Sequence, residues 1–217
     1  IRAYQPDLLW NIDPNKSWHP VPVGLVDAAH PLIINLNEGA HGAHGMIAGT
    51  TGSGKSQLLL TFLMALAVRH SPDRLNLMLI DFKGGATFRD LADLPHTVGV
   101  VTDLHGYMTE RALLAINSEL DRRKSALAAC RVADIHEYRA KASANGANLA
   151  PIPNLMIVID EFDEMARDYP DLVLEFVRVA KQGRSLGVHM LFATQQPASI
   201  KEGMLLNLAY NIALRVT

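Results

Sequence analysis

A glycine-rich octapeptide carries the strongest chemical signal in the sequence. Gly49-Thr50-Thr51-Gly52-Ser53-Gly54-Lys55-Ser56 has the pattern G-x₄-G-K-[ST], in which successive backbone N–H groups form a concave cradle for phosphate. Lys55 is expected to reach the β- and γ-phosphates, and the Ser56 hydroxyl is a hard oxygen ligand for Mg²⁺. The loop therefore predicts a site for a nucleoside triphosphate, ATP with Mg²⁺, and Gln57 completes the predicted nucleotide-binding set.

Two carboxylates follow an apolar segment about a hundred residues after this loop. Residues 155–159 read as a buried strand that ends at Asp160 and Glu161. In phosphate-transferring sites an aspartate in this position helps to hold Mg²⁺, and an adjacent acid orients and activates the attacking water. We predict that Asp160 acts with Ser56 at the metal and that Glu161 is the general base. The alternative is a solvated acidic helix start, which the upstream loop disfavours.

Two further polar residues are candidates on weaker grounds. Gln195 follows another apolar segment, where it could sense the γ-phosphate or position water, or could simply end a strand. Arg184 lies in Gly183-Arg184-Ser185, and arginine is always charged and makes forked contacts to phosphate. In ring-forming motors such an arginine often serves the site of a neighbour, but an ordinary surface arginine is an equally open interpretation.

The elements that must position these residues alternate along the chain. Five apolar segments have the character of buried strands, at residues 46–48, 75–80, 97–101, 155–159 and 188–193, and helical spacing predicts helices at roughly 57–70, 109–130, 134–146 and 171–182. This order predicts an α/β fold with a mostly parallel sheet flanked by helices, and with polar residues at the carboxyl ends of the strands. Residues 21–24 and 31–36 predict a small N-terminal strand pair.

Length and composition indicate the number of domains and exclude a disulfide within the chain. The chain has 217 residues, of which 49% are hydrophobic and 19% charged, with a formal net charge of −2. We expect one domain, with residues 1–36 as a lead-in with the strand pair and 37–217 as the core. The single cysteine, Cys130, excludes an internal disulfide. The start at Ile1 and the apolar end at 212–216 are interpreted as marks of a domain excised from a longer protein, and residues 122–124 as a solvated helix face.

Seven short blocks occur in the order found in the FtsK/SpoIIIE family of motor ATPases, which the chain resembles. They are Ala48–Ser56, Asp81-Phe82-Lys83, Leu94-Pro95-His96, Val101-Thr102-Asp103, Val158–Glu161, Gly183–His189 and Ala193-Thr194-Gln195. Within that family, residues 36–45, 81–85 and 183–187 resemble the first ATPase domain of EccC/EssC, the membrane-anchored motors of type VII secretion.

The resemblance implies a RecA-like P-loop core that hydrolyses ATP and needs an arginine from the next domain. It makes Arg184 the candidate finger acting in trans, so that turnover in isolation would be slow. The implied partners are neighbouring ATPase domains of the same chain or ring, small helical-hairpin secretion substrates and a membrane secretion complex. The implied location is the cytoplasmic face of the cell membrane, within a membrane-anchored parent, while the fragment itself is expected to be soluble.

Two positions differ from the residues that are common in the relatives. FtsK motors often have arginine where this chain has Gln196, and many EccC-like domains have glutamate at Gln57, whose side chain lies past the loop.

Two other functions stay open. A DNA translocase of the FtsK or conjugative-coupling type shares the core, although the net charge and the Gly84-Gly85 pair favour protein export. A nucleotide-locked module without turnover is the third possibility, which the intact carboxylates disfavour.

Overall fold

The computed structural model describes residues 10, 18–82, 84, 87–102, 106–144, 149–197 and 206–215. Over these residues the chain forms the strands β1 Val21–Leu25, β2 Pro31–Ile34, β3 His44–Ala48, β4 Leu75–Asp81, β5 Thr97–Val101, β6 Asn154–Asp160, β7 Val188–Thr194 and β8 Tyr210–Ala213. The α-helices are α1 Lys55–Arg69, α2 Gly106–Cys130, α3 Ile135–Ala142, α4 Phe162–Asp168 and α5 Pro170–Gly183, with short 3₁₀ turns at Arg89–Leu91 and Arg184–Leu186.

Six of the strands form one parallel sheet in the order β5-β4-β6-β7-β3-β8. Strand β7 therefore lies between β3, which leads into the glycine loop, and β6, which carries the two carboxylates. The register pairs Ala48 with Thr194, and Asp81 with Asp160. Because parallel strands end at the same edge, the loop, the carboxylates and the end of β7 meet there, as the sequence predicted.

Both faces of this sheet are covered, which explains the unbroken apolar character of its strands. Along β6, Ile157 and Ile159 pack in the core that includes residues of α2 to α5. Met156 and Val158 point to the opposite face, where the core contains residues of α1 and of the N-terminal strands. None of the helices in the described part of the chain is long and apolar enough to cross a membrane.

The N-terminal strands form a separate antiparallel pair, β1 with β2. Val21 and Ile34 are paired across it, and both belong to the core that α1 helps to form. This confirms the predicted small β extension, although the second strand ends at Ile34 and not at residue 36. The proposed division between residues 36 and 37 stays a prediction.

Two elements are absent from the predicted helices and strands, although a helix start at Asp160 and Glu161 was the alternative to a pair of site carboxylates. Helix α4 begins directly after Glu161, and β8 pairs in parallel with β3. The ring of Tyr210, at the start of β8, lies against Gly45, where a Cβ atom would collide with it. The apolar residues near the end of the chain, of which Ile212 is one, therefore extend the sheet.

The interpretation of residues 122–124 as a solvated face is wrong for Arg123. Its side chain is only 1% exposed, while those of Arg122 and Lys124 are exposed. Arg123 donates to Glu119 Oε1 at 2.8 Å and to the carbonyl oxygens of Leu186 and Gly187 at 2.8 and 3.2 Å. A buried charge needs such partners, and here they tie α2 to the turn before β7.

Several buried histidines lie at the amino-terminal edge of the sheet, opposite the loop. Trp18 lies edge-on to His70 and His189, with ring centroids 5.3 and 4.7 Å apart. Burial lowers the pKa of His44 and of His70 to about 4, and it lowers the pKa of His189 well below its ordinary value. The fold therefore holds these imidazoles neutral, since a buried charge is disfavoured.

We predict that acid weakens the fold through these histidines. The folded chain takes up the protons of His44 and His70 only near pH 4, whereas the unfolded chain takes them up near pH 6.5. Their stabilising contribution is therefore complete above pH 6.5 and is lost as the pH falls toward 4, by roughly 3 kcal/mol for each histidine. Urea unfolding between pH 8 and pH 4 measures this loss.

The matched variants are His70→Gln and His136→Gln. The first removes a buried histidine and should reduce the dependence of the unfolding free energy on pH. The second removes an exposed histidine of α3 and should leave that dependence unchanged. An equal pH dependence in His70→Gln and the parent protein would contradict the assignment.

Candidate nucleotide-binding site

The glycine loop, residues 49–56, joins β3 to α1 and is held by its neighbours on both sides. The N–H of Gly49 donates to the Thr194 carbonyl at the end of β7, at 3.1 Å. The N–H and the hydroxyl of Thr50 both donate to the carbonyl oxygen of Arg215, just after β8, at 2.9 and 3.0 Å. The loop is thus anchored to β7 on one side and to the segment after β8 on the other.

The backbone of this loop has the features of a phosphate cradle. Gly52 and Gly54 have φ of +76° and +93°, a region that favours glycine. A Cβ atom at Gly49 would collide with the Ser53 hydroxyl. That hydroxyl is buried and has no hydrogen-bond partner among the described residues. A phosphate oxygen would satisfy it, so the loop fits the ligand that its sequence predicts.

The first residue of α1 meets the carboxylates at the end of β6. Lys55 Nζ donates to Asp160 Oδ1 at 2.6 Å and lies 3.5 Å from Glu161 Oε1. The ammonium and both carboxylates are almost completely buried. The structure therefore brings together three of the predicted site residues, from positions about a hundred residues apart.

Glu161 has a backbone conformation that is unusual for its residue type. Its φ of +54° and ψ of +47° lie in the left-handed region, which costs a non-glycine residue roughly 1–3 kcal/mol. The N–H of Glu161 donates to Asp160 Oδ1 at 2.9 Å, and α4 begins at the next residue. Such strain is concentrated at functional sites, and here it turns the chain sharply between β6 and α4.

Gln195 lies at the end of β7, where the sequence predicted it, and contacts both the loop and the carboxylates. Its Nε2 donates to Glu161 Oε1 and Oε2 at 2.8 and 2.9 Å, and its Oε1 accepts from the Thr51 hydroxyl at 2.7 Å. The Gln195 side chain therefore does more than end a strand.

One residue of this cluster was not a candidate in the sequence analysis. Asp163, in the first turn of α4, accepts hydrogen bonds on Oδ1 from the Thr194 hydroxyl at 2.9 Å and from the Gln195 N–H at 3.1 Å. The only signal in the sequence was its place three residues after Asp160. The bonds join α4 to the end of β7.

The oxygen ligands present fit Mg²⁺. Ser56 is half-buried and its hydroxyl makes no hydrogen bond within the described residues. It directly follows Lys55, whose ammonium contacts the Asp160 carboxylate. Hydroxyl and carboxylate oxygens are the ligands that Mg²⁺ prefers. Asp81 ends β4 beside Asp160 and is also buried. Lys83, Gly85 and Asp103 of the family-like blocks lie outside the described residues.

Two predicted site residues are not part of this cluster. Gln57 is exposed in the first turn of α1, and its side chain has no hydrogen bond in the described part of the chain. Arg184 is exposed and lies in the turn before β7, whereas Gln195 directly follows the last residue of β7. The length of β7 separates the two edges by about 20 Å, so Arg184 is remote from the loop of its own chain.

A glycine loop between a buried parallel strand and a helix, with two acids and a polar residue at adjacent strand ends, defines a RecA-like P-loop core. The sequence model of the FtsK/SpoIIIE family matches residues 7–199. The chain belongs to this family, whose members are P-loop ATPases.

Named relatives come from type VII secretion. The chain is 41% identical to the ESX secretion system protein EccC of Thermomonospora curvata over 97% of its length, and 40% identical to EccC of Geobacillus thermodenitrificans over 90%. It spans only 16% and 13% of those proteins. The solved cytoplasmic domain of the Thermomonospora curvata type VII secretion ATPase EccC matches 98% of the chain, with a TM-score of 0.90 and 38% identity, over 25% of that structure.

We predict that Lys55 stabilises the fold by compensating the buried carboxylates. Lys55→Met leaves Asp160 and Glu161 buried without their ammonium partner, which should lower the free energy of unfolding by about 3 kcal/mol. Lys124→Met breaks the exposed pair with Asp121 and should cost less than about 1 kcal/mol. Urea unfolding without nucleotide at neutral pH compares the two.

The same measurement on a double variant tests whether uncompensated charge causes the loss of stability. Asp160→Asn removes one of the uncompensated charges, so adding it to Lys55→Met should recover part of the lost stability. If Lys55→Met unfolded at the same urea concentration as the parent protein, the ion pair would not have this role.

Proposed function

We propose that the chain binds and hydrolyses ATP as a motor domain of a type VII secretion system. The observation that carries hydrolysis is the buried cluster of Lys55, Asp160 and Glu161 beside the phosphate loop. Support for secretion comes from relatives that are 40% and 41% identical over most of this chain and are named EccC.

Each residue of the cluster has a distinct task in this proposal. The backbone N–H groups of the loop and Lys55 bind the phosphates, and Ser56 and Asp160 hold Mg²⁺. The metal supplies positive charge against the phosphate oxygens when it is bound. Glu161 orients a water and accepts its proton, and its burial keeps competing solvent away. Gln195, which donates to the Glu161 carboxylate in this structure, senses the γ-phosphate.

Arg184 completes the site of a neighbouring domain in this proposal. Its side chain is exposed and makes no hydrogen bond or ion pair within the described residues. Since it lies at the opposite edge of the sheet from its own loop, an assembly can place it against the loop of another domain. A planar, permanently charged guanidinium suits phosphate there. We expect slow turnover by the isolated chain.

The parent protein supplies the remaining partners in this proposal. We infer neighbouring ATPase domains on the same chain or ring, small helical-hairpin substrates and a membrane secretion complex at the cytoplasmic face of the cell membrane. The support for neighbouring domains is that the chain spans about a sixth or less of its EccC relatives. No observation in the described part of the chain favours the DNA-translocase alternative.

Glu161→Gln should separate binding from turnover. The variant keeps the size of the side chain but removes the group that accepts the proton, so it should retain ATP binding and lose hydrolysis by about a hundredfold or more. Phosphate release and retained nucleotide are the measurements. Glu164→Gln, in the same turn of α4, is the matched control and should hydrolyse normally.

Two outcomes would decide against this assignment. Hydrolysis by Glu161→Gln at the rate of the parent protein would remove Glu161 as the base. A parent protein that carries unhydrolysed ATP at every protein concentration would favour the nucleotide-locked module.

Complementation tests the role of Arg184 in trans. Lys55→Ala removes the phosphate-binding ammonium but keeps Arg184, and Arg184→Ala has the reverse defect. Each variant alone should turn over slowly at high protein concentration, while their mixture should recover activity because one chain supplies the loop and the other the arginine. Phosphate release from the two variants and their mixture is the measurement.

Arg178→Ala provides the control, because Arg178 is also exposed but pairs with Glu175. It should behave like the parent protein. If turnover by Arg184→Ala rose with protein concentration as steeply as that of the parent, Arg184 would have no role in trans.

A further inference from the structure

A continuous series of hydrogen bonds joins the phosphate loop to the proposed base. The Thr51 hydroxyl donates to Gln195 Oε1 at 2.7 Å, and Gln195 Nε2 donates to both carboxylate oxygens of Glu161 at 2.8 and 2.9 Å. We call these three residues the latch. Its members are 144 and 34 residues apart in sequence, so the fold alone assembles it.

The latch uses the same oxygens that catalysis needs. A general base must accept the proton of water on a carboxylate oxygen. In the latch both Glu161 oxygens accept from one amide nitrogen, and Lys55 Nζ lies 3.5 Å from one of them. The Gln195 amide therefore occupies an acceptor position on each Glu161 oxygen, and the carboxylate is restrained as long as the amide stays in place.

The backbone around the latch cannot easily release it. Asp163 holds the N–H of Gln195 at 3.1 Å and the Thr194 hydroxyl at 2.9 Å, while Asp160 holds the N–H of Glu161 at 2.9 Å. The end of β7 and the start of α4 thus form one unit. Movement is left to the Gln195 side chain, and the hydroxyl that holds that side chain belongs to the phosphate loop.

We infer that Thr51 is a positioning residue that couples occupation of the phosphate loop to release of Glu161. This inference rests on the proposed function. Binding of a triphosphate in the loop separates the Thr51 hydroxyl from Gln195, and the amide then turns away from the carboxylate. A hydrogen bond that must break on binding opposes binding, so the two events are linked reciprocally. Removing the hydroxyl must tighten nucleotide binding.

Thr51→Val removes the hydroxyl and keeps the branched shape of the side chain and the loop N–H. We expect the Kd for a fluorescent, non-hydrolysable ATP analogue with Mg²⁺ to fall roughly fivefold, as the loss of one hydrogen bond implies. Thr50→Val is the matched control in the same loop, because the Thr50 hydroxyl donates to the Arg215 carbonyl and not to the latch. It should not tighten binding.

A double-variant cycle tests whether Thr51 acts through Gln195. Gln195→Met removes both the acceptor and the donor of the amide. If the latch exists, Thr51→Val tightens binding in the parent background and has no further effect in the Gln195→Met background. Fluorescence polarisation gives all four Kd values for the 217-residue chain, and thermal melting confirms that each variant is folded.

The outcomes separate this inference from the proposed function. A parent chain that binds the analogue, with a Thr51→Val variant that binds equally or more weakly, overturns the latch and leaves the proposed function standing. Equal tightening by Thr50→Val, or tightening that persists without Gln195, also overturns it. A parent chain that does not bind the analogue at any concentration contradicts both.

Discussion

The structure depends on a buried ammonium that must meet a buried carboxylate. Lys55 and Asp160 are separated by 105 residues, yet their side chains are 2.6 Å apart in a region that water barely reaches. Either charge alone would be costly in such surroundings. The first residue of α1 and the last residue of β6 therefore have to meet, which sets the place of α1 and of the loop against the sheet.

The order of the strands allows the contact between Lys55 and Asp160, and it also places the end of β7 beside them. Because β7 lies between β3 and β6, the strand that leads into the loop and the strand that carries the carboxylates are not neighbours in the sheet. The end of β7 fills the space between them: the Thr194 carbonyl accepts from Gly49, and the Gln195 amide contacts Glu161. A change in the loop can thus reach the base through side chains that are already in contact.

Local patterns explain which features could be predicted from the sequence. The glycine loop and five strands of the parallel sheet, β3 to β7, are encoded by contiguous residues, and the predicted ends of these strands agree with the structure to within about two residues. The predicted helix at 134–146 begins with Asp134, whose carboxylate caps α3 by accepting from the N–H groups of His136 and Glu137. In each case the residues that form the element are neighbours in the chain.

The missed features depend on partners that are distant in the chain. Strand β8 has only four residues, and its position follows from pairing with β3. Arg123 is buried because carbonyl oxygens 63 and 64 residues away accept from it. The contact of Thr51 with Gln195 spans 144 residues. A pattern in one segment cannot show such contacts, since nothing in the neighbouring sequence marks the residues that make them.

The direction of the sheet sets a further limit on what one domain can do. All six strands are parallel, so the loop and carboxylates lie at one edge and Arg184 lies at the other. No rotation of a side chain spans the length of β7. Under the proposed function, two copies related head to tail would place the arginine edge of one against the loop edge of the next. Such contacts use different surfaces on the two partners, so they produce rings or strings of domains and not symmetric pairs.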